Sequence, residues 1–316
     1  MTILVTGGSG FIGRALCQYF KELNIPLNFL TREAYSTLCN IAPLGSSLQD
    51  VTIKHNQLFK TLSDSHAVIH LAAKAHDTRL ISENNFEFLL EEYRRVNVNG
   101  TLNLARMCAQ LGVKRFIYIS SIKVNGESTL LNAPFRRESL PNPTDPYGIS
   151  KHEAEKGLLE IARATGLEVV IIRPPLVYGY GVKANFMTLI RLVNSGAPIP
   201  FGAISKNLRS FIAVENLIDL IYLTISHPSA KNDIFLVSDG RDFSTAELVL
   251  EIAMALNKKC IMLPIPLIAL KVFFRMIGRR DILMRLMENL QIDIGYTARV
   301  LGWQPTHTMR SSLKGL

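Results

Sequence analysis

The sequence predicts an α/β fold: a doubly wound parallel sheet with a smaller C-terminal lobe. Three observations predict it. The chain opens on an apolar, β-branched run, Thr2-Ile3-Leu4-Val5-Thr6, which passes through a glycine turn into apolar residues at helical spacing. Short apolar runs then alternate with helical patterns as far as Pro175, the rhythm of parallel strands joined by crossover helices. Beyond Pro175 the segments shorten and lose that regularity. The expected division is 1–174 with 211–238 for the sheet domain, and 175–210 with 239–316 for the lobe.

The turn after the first strand is Gly7-Gly8-Ser9-Gly10-Phe11-Ile12-Gly13, and the helix behind it carries Ala15, Leu16, Tyr19, Phe20 and Leu23. Strand, glycine turn and helix in this order point to dinucleotide binding, with an ordinary glycine turn as the alternative. Gly7 allows the tight turn, Gly10 lets backbone approach a pyrophosphate, and Gly13 lets the helix lie close to the sheet. The first turn of the helix, at Phe11 and Ile12, presents unpaired N–H groups to the phosphates. The first lobe is therefore expected to be a Rossmann-type, dinucleotide-binding domain.

Leu27–Leu30 reads as the second strand, and Thr31-Arg32 stands at its tip, which in such a sheet faces the adenosine ribose. A carboxylate there would accept from ribose hydroxyls, whereas Arg32 suits a 2′-phosphate. NADP(H) is thus the preferred cofactor, with Glu33 arguing the other way and NAD(H) left open. Residues 34–50 read as a surface connection and Val51–Ile53 as a short third strand. Ala67–Ala73 is the fourth strand, in which His70 is packed rather than catalytic, and Phe116–Ser121 is the fifth, ending in hydroxyls. Residues 125–146 form a proline-rich loop, Tyr147 to about Thr165 a helix, and Glu168–Ile172 the sixth strand, stopped by Arg173-Pro174-Pro175. Further on, strand Phe211–Val214, helix Glu215–Ser226 and strand Ile234–Val237 are expected to return to the main sheet. Helix 244–256 and the apolar run 261–277 rejoin the lobe.

Tyr147 and Lys151 stand four residues apart on a helix, which puts both side chains on one face. A tyrosine hydroxyl ordinarily titrates near 10, and a neighbouring ammonium favours its phenolate. Lys151 can also bond the nicotinamide ribose. Ser121, at the end of a strand facing the same crevice, can donate a second hydrogen bond to a carbonyl or alkoxide oxygen.

With the Gly7–Gly10–Gly13 spacing, His70-Leu71-Ala72-Ala73, Asn97-Val98-Asn99-Gly100-Thr101 and Tyr147-x-x-x-Lys151 in this order, the chain resembles an extended short-chain dehydrogenase/reductase of the nucleotide-sugar epimerase/dehydratase family. The resemblance covers nearly the whole chain and ends in Leu301-Gly302-Trp303-Gln304-Pro305. It implies Ser121, Tyr147 and Lys151 as the catalytic trio. It implies cofactor contacts at Leu71, Ala72, Ala73 and Pro174, and a role for Asn97 in bonding a neighbouring strand. Asn185 and Arg209 match residues that contact the diphosphate of a sugar nucleotide. Dehydratases of the family carry an adjacent Asp and Glu where this chain has Ile122 and Lys123, so dehydration is not expected. Lys123 is placed among the substrate contacts, with a solvent-directed lysine as the alternative.

Composition narrows the partners. The net charge is +9, but the 35 Lys and Arg are scattered, with no aromatic-interleaved stripe, so nucleic acid is not expected. Cys17, Cys39, Cys108 and Cys260 show neither zinc nor CxxC spacing and read as free thiols in a reducing, cytoplasmic setting. The run Ile261–Ile277, interrupted by Pro264, Pro266, Lys271 and Arg275, is too short and broken to span a bilayer. It reads as a lobe helix, with an amphipathic surface contact by Leu267–Ile277 as the alternative. A homodimer is left open.

The expected activity is 4-ketoreduction of a UDP-2-acetamido-2,6-dideoxy-4-hexulose for surface polysaccharide synthesis, since the loops 121–126 and 180–186 resemble reductases of that kind. The alternatives are a UDP-sugar 4-epimerase that keeps its NAD and, more remotely, a cofactor-sensing regulator.

Overall fold

A computed structural model describes residues 2–40, 56–75, 85–182 and 184–314. Strands β1 (Ile3–Thr6), β2 (Leu27–Leu30), β3 (Ala67–His70), β4 (Arg115–Ile119), β5 (Glu168–Arg173) and β8 (Asp233–Leu236) form one sheet in the order β2-β1-β3-β4-β5-β8. Every pairing in it is parallel. Because the chain leaves β1 toward β2 on one side and reaches β3 on the other, the strand order reverses there. The crevice at the carboxyl ends of β1 and β3 is where such sheets bind ligands. This is a Rossmann-like α/β fold.

Alternation along the strands feeds two cores, one on each face. In β4, Phe116 and Tyr118 enter the core that contains Leu104, Ala154 and Leu158, while Ile117 and Ile119 enter the one built on Leu16, Phe20 and Leu217. The first core is covered by α5 (Thr101–Gln110) and α6 (Pro146–Thr165), the second by α1 (Phe11–Glu22) and α8 (Val214–Ser226).

The sequence and structure differ at several points. Arg32–Asn40 is a helix, α2, rather than part of a surface connection. Thr31 accepts from the Ala34 amide at 3.2 Å, and Tyr35, Leu38 and Cys39 turn one side of the helix into the core. The strand expected at Val51–Ile53 lies outside the described residues. Strand β3 stops at His70, so Leu71-Ala72-Ala73 forms the loop beyond it.

Strand β7 (Arg209–Ala213) does not return to the main sheet. It pairs in parallel with β6 (Leu176–Tyr178) and antiparallel with β9 (Asp242–Phe243) in a second, three-stranded sheet. The edge of the main sheet beside β5 is taken by β8. In β7, Ile212 packs in the main core, while Phe211 and Ala213 pack in a third core with Phe186, Phe243 and Leu248. That third core belongs to the lobe, with α7 (Ala184–Asn194), α9 (Thr245–Ala255), α10 (Leu267–Met276), α11 (Arg280–Met287) and α13 (Met309–Leu313). Leu301 and Trp303, by contrast, pack in the main core at the end of α12 (Gly295–Leu301), so the stretch 239–316 is not wholly lobe. Among the described residues no helix is long and apolar enough to cross a membrane.

Candidate active site

Two loops meet at the switch point. Gly7 has φ +71°, and a Cβ there would lie 2.7 Å from the Ala72 amide nitrogen. A Cβ on Gly13 would lie 2.3 Å from the Gly7 carbonyl oxygen. Gly10 donates its amide to that same oxygen at 3.0 Å. The glycine turn is therefore a cradle of bare backbone, pressed against Leu71-Ala72, with the first turn of α1 at Phe11 and Ile12 opening from it. Bare backbone beside a helix N-terminus is a construction that leaves room for phosphate oxygens.

Below the cradle lies a buried polar knot. His70 is fully buried and hydrogen-bonds through Nδ1 with Thr6 Oγ1 at 2.7 Å and through Nε2 with Thr101 Oγ1 at 2.9 Å. Thr6 Oγ1 also accepts from the Ala72 amide at 3.1 Å. Burial, and secondly the charge of Lys151, pushes His70 down to about 3, so it stays neutral. It is a packed residue that ties β1, β3 and the loop after β3 together.

The catalytic candidates stand one strand over. Helix α6 starts as its sequence dictates. Asp145 caps it by accepting from the Gly148 amide at 2.7 Å, and Pro146 occupies the first turn. Tyr147 is thereby held in the first turn with Lys151 one turn on. Ser121, just past β4, acts on Tyr147 by favouring its ionised form. Lys151 is buried, donates to the Ile119 carbonyl at 2.8 Å, and lies 4.4 Å from the ring centre of Tyr118 and 5.9 Å from that of Tyr147. Ser121, Tyr147 and Lys151 thus converge.

The electrostatics differ from the expectation. Burial pushes Lys151 down to about 7, against the pull of Glu155. Tyr147 is held well above its ordinary value by burial first, then by the charge of Asp145 and by Tyr93, with Ser121 opposing. Lys151 does not offset these, because its own charge is suppressed.

Lys123 donates to Glu127 at 2.6 Å and also bonds Asp145. Its charge is committed to two carboxylates rather than left free beside the reacting centre. Arg32 is exposed in the first turn of α2. Arg209 is half-buried at the start of β7 and donates to the Glu288 carbonyl at 3.1 Å. Asn185 stands in the first turn of α7, with its side chain outside the described part of the structure. Pro174 is buried at the end of β5, and its carbonyl accepts from the Ile122 amide at 2.9 Å.

Two contributors, Glu155 and Arg173, escaped the sequence reading. Glu155, one turn beyond Lys151, is buried with Arg173, which donates to its two carboxylate oxygens at 2.9 and 2.5 Å. Ser120 donates to Glu155 at 2.5 Å and Arg173 to Asn125 Oδ1 at 3.0 Å, so this pair fixes the strand end that precedes Ser121. The i, i+4 spacing of Lys151 and Glu155 was the available signal. Asn97 was expected to bond a strand. It lies in a π-helical turn at Arg94–Gly100 and instead clamps the loop after β3 to α6, through the Lys74 amide at 2.8 Å, the Lys74 carbonyl at 3.0 Å and Ser150 Oγ at 2.9 Å.

Residues 3–238 match the NAD dependent epimerase/dehydratase family. The chain belongs to that family. It is 45% identical over 314 residues to a UDP-glucose 4-epimerase of Vibrio cholerae, covering 99% of this chain and 93% of the relative. Among solved structures, a Thermotoga maritima UDP-glucose 4-epimerase with UDP-glucose superposes with a TM-score of 0.71 at 22% identity, covering 99% of this chain and 96% of that one. RMD from Pseudomonas aeruginosa complexed with NADPH gives 0.70 at 23%, covering 99% and 97%. At these identities the two structures share the fold. The epimerase/dehydratase family chain described here is an enzyme of the nucleotide-sugar type.

Proposed function

We propose that this enzyme is a UDP-sugar 4-epimerase working with bound NAD. The observation that carries the reading is its 45% identity, over 99% of its length, to a relative named for that reaction. The sequence alone leaned toward the reductase; near-full-length similarity of this degree favours the runner-up.

In this reading the Gly7–Gly13 turn, with Phe11 and Ile12, holds the pyrophosphate, and Arg32 stands at the adenosine end. Leu71, Ala72, Ala73 and Pro174 flank the nicotinamide, and Lys151 bonds its ribose. A bound NAD would supply the hydride acceptor, and its reduced form the donor, for inversion at C4 of the sugar. Tyr147 removes the proton from the C4 hydroxyl and gives it back, and Ser121 holds the same oxygen by a hydrogen bond. Arg209 and Asn185 hold the diphosphate, for which a guanidinium fork is suited. Ile122 carries no carboxyl group and Lys123 is paired, which supports a reaction without dehydration.

One feature favours the second reading, 4-ketoreduction with NADPH. Arg32 is exposed at the tip of β2, where a 2′-phosphate would lie.

A single experiment separates them. The purified enzyme is incubated with UDP-N-acetylglucosamine or UDP-glucose without added reductant, and the products are read by NMR while released cofactor is identified after acid precipitation. Epimerisation with co-purified NAD and flat nicotinamide absorbance is expected. Stoichiometric NADPH consumption on a UDP-4-keto sugar, with no epimerisation, would replace this reading with the reductase.

A further inference from the structure

Helix α10 turns most of its apolar side chains outward. Leu270 is buried in the lobe core and Phe274 packs beside it, which anchors the helix. Ile268 is nevertheless 77% exposed, Met276 80%, Phe273 56% and Val272 54%, and Ile277 follows at half exposure. At 3.6 residues per turn, Ile268, Val272, Met276 and Phe273 cover an arc of about 140° on the side away from Leu270. This arc is therefore a built surface rather than the ragged edge of the core. The helix is held by one face and offers a continuous apolar stripe on the other.

The stripe has a cationic border. Lys271 and Arg275 flank it one turn apart on the same helix, Arg279 follows in the turn after it, and Arg285 lies on α11; all four are exposed. Over residues 258–287 the chain carries seven Lys and Arg against one acid, Asp281. This charge decides between occupants. A second copy of the chain docked through this face would bring two cationic borders together. An anionic lipid surface complements both parts, with the stripe entering the headgroup boundary and the cations meeting lipid phosphates.

We propose that α10 docks the lobe onto anionic bilayers as a helix lying flat in the interface. The docked face belongs to the lobe that also holds Arg209. Helix α11, packed beside α10, runs directly into Glu288, whose carbonyl accepts from Arg209. The bilayer would thus sit against the substrate lobe and not against the cofactor domain.

The test uses the full chain and vesicles of equal phosphatidylglycerol and phosphatidylcholine, compared with phosphatidylcholine alone, in co-sedimentation at low and high salt. Binding to the anionic vesicles that falls with salt is expected. Phe273→Glu with Met276→Glu, and separately Lys271→Glu with Arg275→Glu, should each weaken it at least about tenfold. Melting temperature and turnover of soluble UDP-sugar should stay unchanged in both. The second pair changes only exposed cations and so keeps the test valid if the first pair perturbs folding. Wild-type protein that stays in the supernatant would overturn the proposal, as would binding insensitive to both pairs or equal on neutral vesicles. A wild-type dimer in light scattering that the Phe273/Met276 pair splits would overturn it too, by assigning the face to a second copy.

Discussion

Lys123 bonds Asp145, the residue that caps the helix on which Tyr147 stands. After burial, the charge of Asp145 is also the largest effect holding Tyr147 above its ordinary pKa. Lys123 therefore tempers the acid that opposes ionisation of the tyrosine, without touching the reacting atoms, and Glu127 steadies it from the other side.

This makes Lys123 a positioning residue with a measurable signature. Lys123→Met leaves Asp145 uncompensated, so the limb of the pH–rate profile governed by Tyr147 should move upward by up to about one pH unit. KM for the sugar nucleotide should change little. A large rise in KM with an unmoved pH profile would instead make Lys123 a substrate ligand.

Lys151 links cofactor-free stability to pH. Its folded pKa is about 7 against an ordinary 10.5, so between these values the unfolded chain holds more protons than the folded one. Its contribution is therefore fully present above 10.5 and is lost as pH falls toward 7. Chemical denaturation of wild type and Lys151→Met across this window should differ in slope by up to about 1.4 kcal/mol per pH unit, with the variant relatively more stable at neutral pH. Parallel curves would show that the ammonium is not desolvated.

His70 sets a second window lower down. Its folded pKa is about 3 against an ordinary 6.5, so its contribution is whole above 6.5 and is lost as pH falls from there toward 3. His70→Gln, which can keep a hydrogen bond to Thr6 or Thr101, should flatten the acid side of the stability curve. An unchanged acid midpoint would assign that side of the curve to other groups.

The glycines of the turn should separate folding from binding. Gly13→Ala drives a methyl group into the Gly7 carbonyl and the Gly8 Cα, both backbone, and should cost about 1–3 kcal/mol of stability together with cofactor binding. Gly10→Ala meets only the Gly7 oxygen, at 3.2 Å, and should melt close to wild type while losing cofactor affinity. Equal melting temperatures with equal cofactor titrations in the two variants would remove the turn from the binding site.

What the sequence disclosed and what it hid have physical causes. Tyr147-x-x-x-Lys151 was legible because helical spacing alone fixes their shared face, whereas the Asp145 cap and Pro146 in the first turn were read as loop. Helix α2 was hidden because Pro43, Gly45 and Ser46-Ser47 just after it marked the whole stretch as a connection, while its buried face rests on only Tyr35, Leu38 and Cys39. A strand was visible at Phe211–Val214, and is observed at Arg209–Ala213, but periodicity does not say which sheet it joins. Glu155 and Arg173 were invisible because a buried ion pair and a solvated one are spelled with the same residue types. The direction of the Tyr147 shift was misjudged for a related reason: spacing brings Lys151 close, but only the fold reveals that the same burial mutes its charge.

Strand β7 gives Ile212 to one core and Phe211 and Ala213 to another. A single extended segment is thus a wall shared by two rooms. Small changes in its side chains should therefore be felt in both cores at once. The same feature forbids modular surgery. A lobe grafted from a relative with its boundary on either side of residues 209–213 leaves one core without its wall, and a workable chimera must carry the strand together with both sets of its neighbours.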